Sequence, residues 1–439
     1  MNDYIKFIIV FLLSVGQVLL LIAGFNWWVD PYGIFHPTEY NPKKLVWMSK
    51  QLRLAKAHSL KQLKPPGIVI GTSAAQIGID PDHPGWDKGV YPRYNLALPG
   101  SNLYENFRFF QHSRALNPPR QILIGLDFVA FNIFFPLSDD FNESHMLVSK
   151  KGTSRHHFFH NLTLTLLSLS AVKASQKKLF YRGEGTHSSS GMEVLPQEKN
   201  QEAKNYRSIM MGSATSFIPR TLMPPPGHRF CLYDGVGNNP NLQHLRKILE
   251  ISKEDGADVR LFIQPSHVYS LEVLRILGMM DDYDKWQREL IALVEDVNRR
   301  YPESPEFPLW DLSGYNSVTM DEVPSPENPN RPMRWYVDIV HYKKTLGDLI
   351  QDRVFSFHEA GRMVPEDFGV QINSKNIDRH QTSQKIKQGE YTQIYQGEIK
   401  ELTSRVNAVK EKIKPFDCSQ AATENKSSPI YGLRIKGGW

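Results

Sequence analysis

The sequence predicts an α/β protein whose core is a parallel sheet of about five strands, preceded by one membrane-spanning helix. Two observations lead to this prediction. Short aliphatic runs alternate with longer segments of helical periodicity, which is the pattern of parallel strands joined by crossover helices. In addition, an uncharged stretch near the amino terminus is long enough to cross the hydrocarbon core of a bilayer.

The composition is that of a globular protein, with 41% hydrophobic and 22% charged residues among 439. The 52 basic and 46 acidic residues are spread along the chain and form no basic stripe, so we expect no nucleic acid partner. The only cysteines, Cys231 and Cys418, are too few to indicate a redox compartment. They can form one disulfide if the protein lies outside the cytosol.

The uncharged stretch runs from Phe7 to Val29 and has 23 residues, against the roughly 20 that a helical span needs. It ends in Trp27-Trp28, aromatic residues that suit a membrane interface. A cleaved signal peptide has a shorter apolar core and a small-residue cleavage site. We therefore interpret residues 1–30 as a transmembrane signal-anchor, and its very short leading segment favours a body outside the cytoplasm.

Residues 31–356 carry the βα alternation. The predicted helices cover residues 43–63, residues from Ser101 or Asn102 to about Ala115, Leu242 to Glu254, Asp282 to Arg300, and a segment ending near Phe355. The predicted strands are Ile68 to Ile70, Tyr94 to Ala97, Gln121 to Gly125, Asp258 to Gln264 and Phe307 to Leu312.

The alternation is lost between about residues 141 and 240, which we interpret as one long insertion after the third strand. It contains His156 and His160, but no nearby carboxylate or cysteine completes a metal site. We therefore expect neither a metal nor a cofactor.

Residues 357–439 form a polar carboxyl-terminal extension. Within it, apolar residues recur alternately four and three residues apart from Tyr395 to Ile413, which predicts a heptad helix over about 384–414. Two interpretations stay open: an amphipathic helix docked on its own domain, or an oligomerisation helix.

Ser73 follows the first predicted strand directly, within Gly71-Thr72-Ser73. Open α/β sheets build their sites at the carboxyl ends of strands, so this hydroxyl can be a nucleophile. The alternative is that Ser73 caps the next helix.

Asp338 and His341 follow the fifth predicted strand, three residues apart on a turn that enters a helix. A serine needs a base to take its proton, and a carboxylate that fixes the tautomer of a histidine makes that base effective. The pair therefore favours the nucleophile interpretation of Ser73.

This order of motifs resembles the SGNH (GDSL-like) hydrolase superfamily. Its first block matches Gly71-Thr72-Ser73, its second matches Gly100 within Asn95 to Gly100, and its last matches Asp338 and His341. The likeness is strongest to membrane-anchored DltD-like and polysaccharide O-acetylation proteins of bacterial envelopes. It spans residues 65–356 and implies a three-layer, flavodoxin-like sheet.

One position departs from the family pattern. The third block of the superfamily is Gly-x-Asn, whose amide donates to the oxyanion, whereas this chain has Gly125-Leu126-Asp127. Either Asp127 has another task, such as binding the loop backbone or a substrate hydroxyl, or Asn132 or Asn102 replaces the missing donor, beside the backbone N–H groups of Ser73 and Gly100. His267 follows the fourth predicted strand and is expected at the same edge of the sheet, where it is a further candidate to contact the oxyanion or substrate.

The resemblance implies a serine esterase or O-acyltransferase that acts on the acyl groups of an envelope or extracellular glycan. It also implies a membrane-bound O-acyltransferase as partner and a bacterial inner-membrane protein whose catalytic domain is periplasmic or extracellular. The alternative function is a non-catalytic, membrane-anchored binding or assembly protein with the same fold.

Overall fold

The structure is a computed structural model that describes residues 3–32, 35, 51–149, 165–180, 187–195, 204–225, 227–413 and 418–420. The α-helices are α1 (Asp3–Val29), α2 (Leu52–Leu63), α3 (Ser73–Gly78), α4 (Leu103–Leu116), α5 (Leu169–Phe180), α6 (Tyr206–Phe217), α7 (Pro240–Glu254), α8 (Val268–Leu277), α9 (Met280–Arg300), α10 (Lys344–Phe355), α11 (Ile377–Ile394) and α12 (Gln396–Lys410). Short 3₁₀ turns lie at Phe128–Phe131, Glu143–His145 and Cys418–Gln420, and a π turn at Ile218–Leu222.

One six-stranded sheet forms the centre, with the order β2-β1-β3-β4-β5-β6. Its strands are β1 (Gly67–Ile70), β2 (Arg93–Asn95), β3 (Gln121–Leu126), β4 (Asp258–Ile263), β5 (Leu309–Asp311) and β6 (Val370–Gln371). The first five are parallel, and β6 pairs antiparallel with β5. The predicted α/β class is confirmed, while the antiparallel edge strand was not predicted because two exposed residues carry no periodic signal.

The helices lie on both faces of the sheet. Right-handed crossovers place α3, which returns the chain from β1 to β2, on the opposite face from α4, α7 and α9. In agreement, α2, α4, α7 and α9 pack side by side, and α3 packs against α10. Helices α3 and α10 come very close at Gly78 and Gly347: a Cβ on Gly347 would lie 1.7 Å from the Gly78 carbonyl oxygen.

Helix α1 is long and apolar enough to span a membrane, judged by its length and composition, and its most apolar stretch is not buried against the rest of the protein. The predicted amino-terminal helix is therefore present. Helix α2 begins at Leu52, and the first part of the predicted helix over 43–63, residues 43–50, lies outside the described residues.

The predicted insertion contains α5, α6 and the segment 187–195. Helix α5 packs on α1, and α6 packs on α12 and α8. His156 and His160 lie outside the described residues.

The carboxyl-terminal extension packs on the domain that precedes it. The predicted single helix over 384–414 is wrong: α11 ends at Ile394, and α12 begins at Gln396. Ile399, Leu402 and Val406 are buried, and α12 packs on α8 and α6. The apolar repeat is thus used within the chain.

A disulfide joins Cys231 to Cys418. Cys231 lies in the predicted insertion, beside Ile133, whose N–H donates to the Cys231 carbonyl oxygen at 2.9 Å. The bond therefore fastens the 3₁₀ turn after α12 to the segments that follow β3.

Candidate functional site

Ser73 is the first residue of α3. It follows the end of β1 at Ile70 after a turn of two residues, Gly71 and Thr72. The turn is tight enough to require glycine: a Cβ on Gly71 would lie 2.8 Å from the Ala75 Cβ and 3.2 Å from the Gly125 carbonyl oxygen. Any larger residue would therefore push the turn that carries Ser73 away from the sheet.

Ser73, His341 and Asp338 form one hydrogen-bonded line. The Ser73 Oγ lies 2.7 Å from His341 Nε2, and His341 Nδ1 lies 2.7 Å from Asp338 Oδ2. The second oxygen, Asp338 Oδ1, accepts the backbone N–H groups of Val340 and His341, each at 2.8 Å. The carboxylate thus holds both the imidazole ring and the turn that carries it. We call these three residues the candidate triad.

Two buried tyrosines anchor this turn to the end of β4. Tyr336 donates to the Pro265 carbonyl oxygen at 2.7 Å, and Tyr342 donates to Gln264 Oε1 at 2.6 Å. The predicted order of turn and helix is observed, since α10 begins three residues after His341.

The charges of the triad favour an imidazole that accepts a proton. Burial alone lowers the pKa of His341, but the hydrogen bond and charge of Asp338, together with the charges of Asp127 and Glu193, outweigh it and raise the pKa above its ordinary value. Burial raises the pKa of Asp338, yet its bonds to His341 and the backbone bring the net pKa below the ordinary value. Asp338 is therefore ionised at neutral pH.

Gly100 lies in the loop after β2 with a left-handed φ of +58° and open space where a side chain would be. Ser101 Oγ donates to the Gly71 carbonyl oxygen at 3.3 Å, which joins this loop to the turn that carries Ser73. Among the described hydrogen bonds, the N–H groups of Ser73 and Gly100 have no acceptor within the chain. Both remain candidates for binding an oxyanion.

Two buried basic side chains of α2 hold the segment that leads to Gly100; burial lowers the pKa of Lys56 to about 7. Lys56 Nζ donates to the carbonyl oxygens of Asn95 at 2.8 Å and Ala97 at 2.6 Å. Arg53 Nη2 donates to the Pro99 carbonyl oxygen at 2.9 Å. Three alternate carbonyls are thereby fixed. Sequence reasoning missed this contact because nothing in the helical pattern marks the partner of a buried lysine.

Asp127 lies at the end of β3 and accepts the Thr72 hydroxyl at Oδ2, at 2.6 Å. Burial raises its pKa to about 6, against the opposing effects of the Thr72 bond and the charge of His341. In this geometry Asp127 is a hydrogen-bond acceptor that joins the turn carrying Ser73 to the end of β3. It does not reproduce the amide donor of the family pattern.

The predicted role of Asn132 as a replacement donor is wrong. Its side-chain amide nitrogen donates to the carbonyl oxygens of Leu222 at 3.3 Å and Arg229 at 2.8 Å, so both amide hydrogens are used. Its Oδ1 accepts the N–H groups of Phe134 and Cys231. Asn132 therefore fastens the insertion to the loop after β3.

Asn102 and His267 both have structural roles at the starts of helices. Asn102 caps α4, with Oδ1 accepting the Glu105 N–H at 3.1 Å and Nδ2 donating to the Phe135 carbonyl oxygen at 3.0 Å. His267 is fully buried, caps α8 through Nδ1, and has Nε2 2.8 Å from the Asp321 carbonyl oxygen. His267 therefore has no ring nitrogen left for substrate, contrary to the prediction, whereas Asn102 uses one of its two amide hydrogens.

Glu193 reaches the site from the insertion, which sequence reasoning did not anticipate. Its N–H donates to the Gln76 carbonyl oxygen in α3 at 3.0 Å, and its carboxylate is close enough to raise the pKa of His341. A second contact is made by Ser213 Oγ in α6, which accepts the Ile339 N–H at 3.3 Å. The insertion thus contacts both α3, which carries Ser73, and the turn that carries His341.

A cavity of about 50 Å³ borders Asp127 and Val340, the neighbour of His341. Its wall is mostly apolar and includes Phe217, Leu271 and Trp286. No cluster of three metal-ligating side chains occurs in the part of the chain that the structure describes.

Comparisons with family models, with curated proteins and with solved structures found no match to this chain. A function must therefore be inferred from the geometry of the site.

Proposed function

We propose that the chain is a membrane-anchored serine esterase or O-acyltransferase of the SGNH type. The observation that carries this proposal is the line from Ser73 Oγ through His341 to Asp338, with 2.7 Å at both hydrogen bonds. A serine within 2.6–3.2 Å of a base that is itself oriented by a third group is the arrangement that activates a nucleophile.

In the proposed reaction, Ser73 Oγ attacks the carbonyl carbon of an acyl ester while His341 Nε2 takes the hydroxyl proton. The N–H groups of Ser73 and Gly100 stabilise the oxyanion. His341 returns the proton to the leaving oxygen as the ester bond breaks, which leaves an acyl-Ser73. An acceptor hydroxyl or water, deprotonated by His341, then attacks the acyl carbon, and His341 returns this proton to Ser73 Oγ as the bond between the acyl group and Ser73 breaks.

The topology supports the SGNH assignment. The five parallel strands have the order 2-1-3-4-5, which is that of flavodoxin-like doubly wound sheets, and ligands bind such sheets at the carboxyl ends of the strands. Ser73 and Asp127 follow β1 and β3 at that edge.

We place the protein in the inner membrane of a bacterial cell as a single-pass protein, with its body on the periplasmic or extracellular side. Helix α1 supports the anchor. The Cys231–Cys418 disulfide supports the outer side, because disulfides persist in oxidising compartments and are rare in the cytosol.

The proposed acceptor is a hydroxyl of an envelope or extracellular glycan, and the proposed donor partner is a membrane-bound O-acyltransferase. The insertion supports transfer over hydrolysis because its Glu193 contacts α3, which carries Ser73, and its Ser213 contacts the turn that carries His341. A segment in this position would limit the access of water to an acyl-Ser73.

One observation favours the second candidate, a non-catalytic binding or assembly protein with the same fold. Asp127 occupies the place of the amide donor and accepts the Thr72 hydroxyl. An ionised carboxylate beside a developing oxyanion would oppose catalysis.

Fluorophosphonate labelling and turnover of an activated acyl ester test the proposal. We expect one phosphonylated serine per chain, lost in Ser73→Ala and retained in Ser374→Ala, whose serine is exposed and distant in sequence. Absence of labelling in the folded wild-type protein would favour the binding protein. Equal turnover by Ser73→Ala and wild type would exclude Ser73 as the nucleophile.

A further inference from the structure

Helix α5 is fastened to the last turn of the membrane anchor. Asn26 of α1 is fully buried, and its Oδ1 accepts the Ser175 hydroxyl of α5 at 2.8 Å. The Asn26 amide nitrogen donates to the Leu166 carbonyl oxygen, and Lys178 Nζ donates to the Asp30 carbonyl oxygen. These bonds leave little freedom for α5 to move relative to the end of α1.

The position of these bonds along α1 determines the depth of α5. Asn26 lies three residues before the end of α1 at Val29, about 4.5 Å along the helix axis. The next residues, Trp27 and Trp28, are 51% and 67% exposed, and tryptophans of spanning helices lie at the level of the lipid headgroups. Helix α5 must therefore lie at the same level.

The outer surface of α5 is unusual for a helix that faces water. Leu169 and Phe180 are 78% and 83% exposed, Leu179 is exposed as well, and so is Leu167, two residues before the helix. Between its apolar ends the helix carries two exposed lysines, Lys173 and Lys177. Apolar side chains combined with lysines are typical of helices that lie in a membrane interface.

The inner face of α5 packs on the body of the protein. Ala171 and Ala174 form a small cluster with Tyr32, which follows α1, and with Leu54 of α2. Helix α2 also carries Lys56, which holds the segment before Gly100. The contact therefore links the end of the anchor to the helix behind the candidate site.

We propose that α5, together with Trp27 and Trp28, forms an interfacial platform that rests in the headgroup layer of the bilayer spanned by α1. The lysines suit an anionic lipid surface. The platform holds the body at one height and in one orientation on the membrane. This inference rests on the membrane anchoring proposed above, and it is independent of the chemistry at Ser73.

Fluorescence quenching in nanodiscs tests the platform with the full chain. Both native cysteines are paired in the disulfide, so one introduced cysteine can be labelled with bimane. Phe180→Cys and Leu169→Cys probe the platform. Leu13→Cys probes the span, and Ile394→Cys, an exposed apolar residue of α11, is the matched control outside the platform.

The discs contain one chain each and a bilayer of phosphatidylcholine and phosphatidylglycerol. We expect lipids with a spin label near the headgroup to quench the probes at 180 and 169 strongly, and iodide in the water to quench them weakly. The probe at 394 should show the opposite pattern, and the probe at 13 should be quenched best by lipids labelled deep in the acyl chain.

Iodide quenching at 180 and 169 equal to that at 394 would overturn the platform and would favour a protein partner as the occupant of this surface. If the probe at 13 is also quenched by iodide, the anchor fails and the platform with it. Thermal melting of each labelled variant establishes that the fold is retained.

Discussion

Asp338 has two functions, orienting the His341 ring and holding the backbone of the turn, and Asp338→Asn should remove the first while keeping the second. In the wild type, Asp338 Oδ2 accepts from His341 Nδ1 at 2.7 Å, and Oδ1 accepts two backbone N–H groups at 2.8 Å. An asparagine can keep its oxygen on the backbone groups. Its NH₂ group then faces Nδ1, which must be unprotonated to accept it.

This change places the imidazole proton on Nε2, where it points at Ser73 Oγ. The histidine can then no longer take the serine proton. The same substitution in a well-characterised serine protease triad lowers kcat about 10⁴-fold, which corresponds to about 5 kcal/mol in the activation barrier. We expect a loss of similar size here, because His341 has the same two partners at hydrogen-bond distance.

The assay is kcat on an activated acyl ester, with the rate of fluorophosphonate labelling as a second measure of serine activation. Asp139→Asn, at an exposed position, is the control for loss of one carboxylate. We expect the melting temperature of Asp338→Asn to stay close to that of wild type, whereas Asp338→Ala should lower it by removing the backbone acceptor. Turnover by Asp338→Asn within tenfold of wild type would refute the proposed role of Asp338.

Three further outcomes are expected. The kcat/KM of the wild type should rise with pH around an inflection above the ordinary histidine pKa, because only neutral His341 accepts a proton. Glu193→Gln removes a charge that raises the pKa of His341, so the inflection in its pH–rate profile should lie at lower pH than in the wild type. An unmoved inflection would contradict the placement of Glu193. Reduction of the Cys231–Cys418 disulfide, which closes a loop of 187 residues, should lower the free energy of unfolding by at most about 5 kcal/mol. Urea titrations with and without reductant measure this loss, and equal unfolding midpoints would argue against the bond. Lys56→Met should lower kcat by up to about 100-fold with KM unchanged, because the segment before Gly100 loses two hydrogen bonds. Steady-state kinetics on the folded variant measure both constants, and a rise in KM alone would count against this role of Lys56.

Local features of the chain were predictable because they depend on neighbouring residues. Aliphatic runs predicted five strands to within about two residues at their ends, and the uncharged stretch predicted α1. The Gly71-Thr72-Ser73 turn and the spacing of Asp338 and His341 are likewise local, since three residues on one turn bring the carboxylate to the ring. Asn102 caps α4, and it is one of the two residues, Ser101 or Asn102, at which the sequence predicted this helix to begin.

Only the tertiary structure decided which distant side chains meet. Ser73 and His341 are 268 residues apart, so their contact depends on the packing of α3 against α10 and on the turn held by Tyr336 and Tyr342. The order of the motifs indicated the pairing through a resemblance, whereas the 2.7 Å distance comes from the fold.

The same reason explains the wrong assignments. Asn132 and His267 both follow strands at the carboxyl edge, and position in the sequence does not distinguish a side chain that faces substrate from one that satisfies buried backbone groups. That choice depends on which loops come close in space. For Asn132 the insertion decided it, because the carbonyl groups of Leu222 and Arg229 accept both hydrogens of its amide. For His267 the carbonyl oxygen of Asp321 decided it.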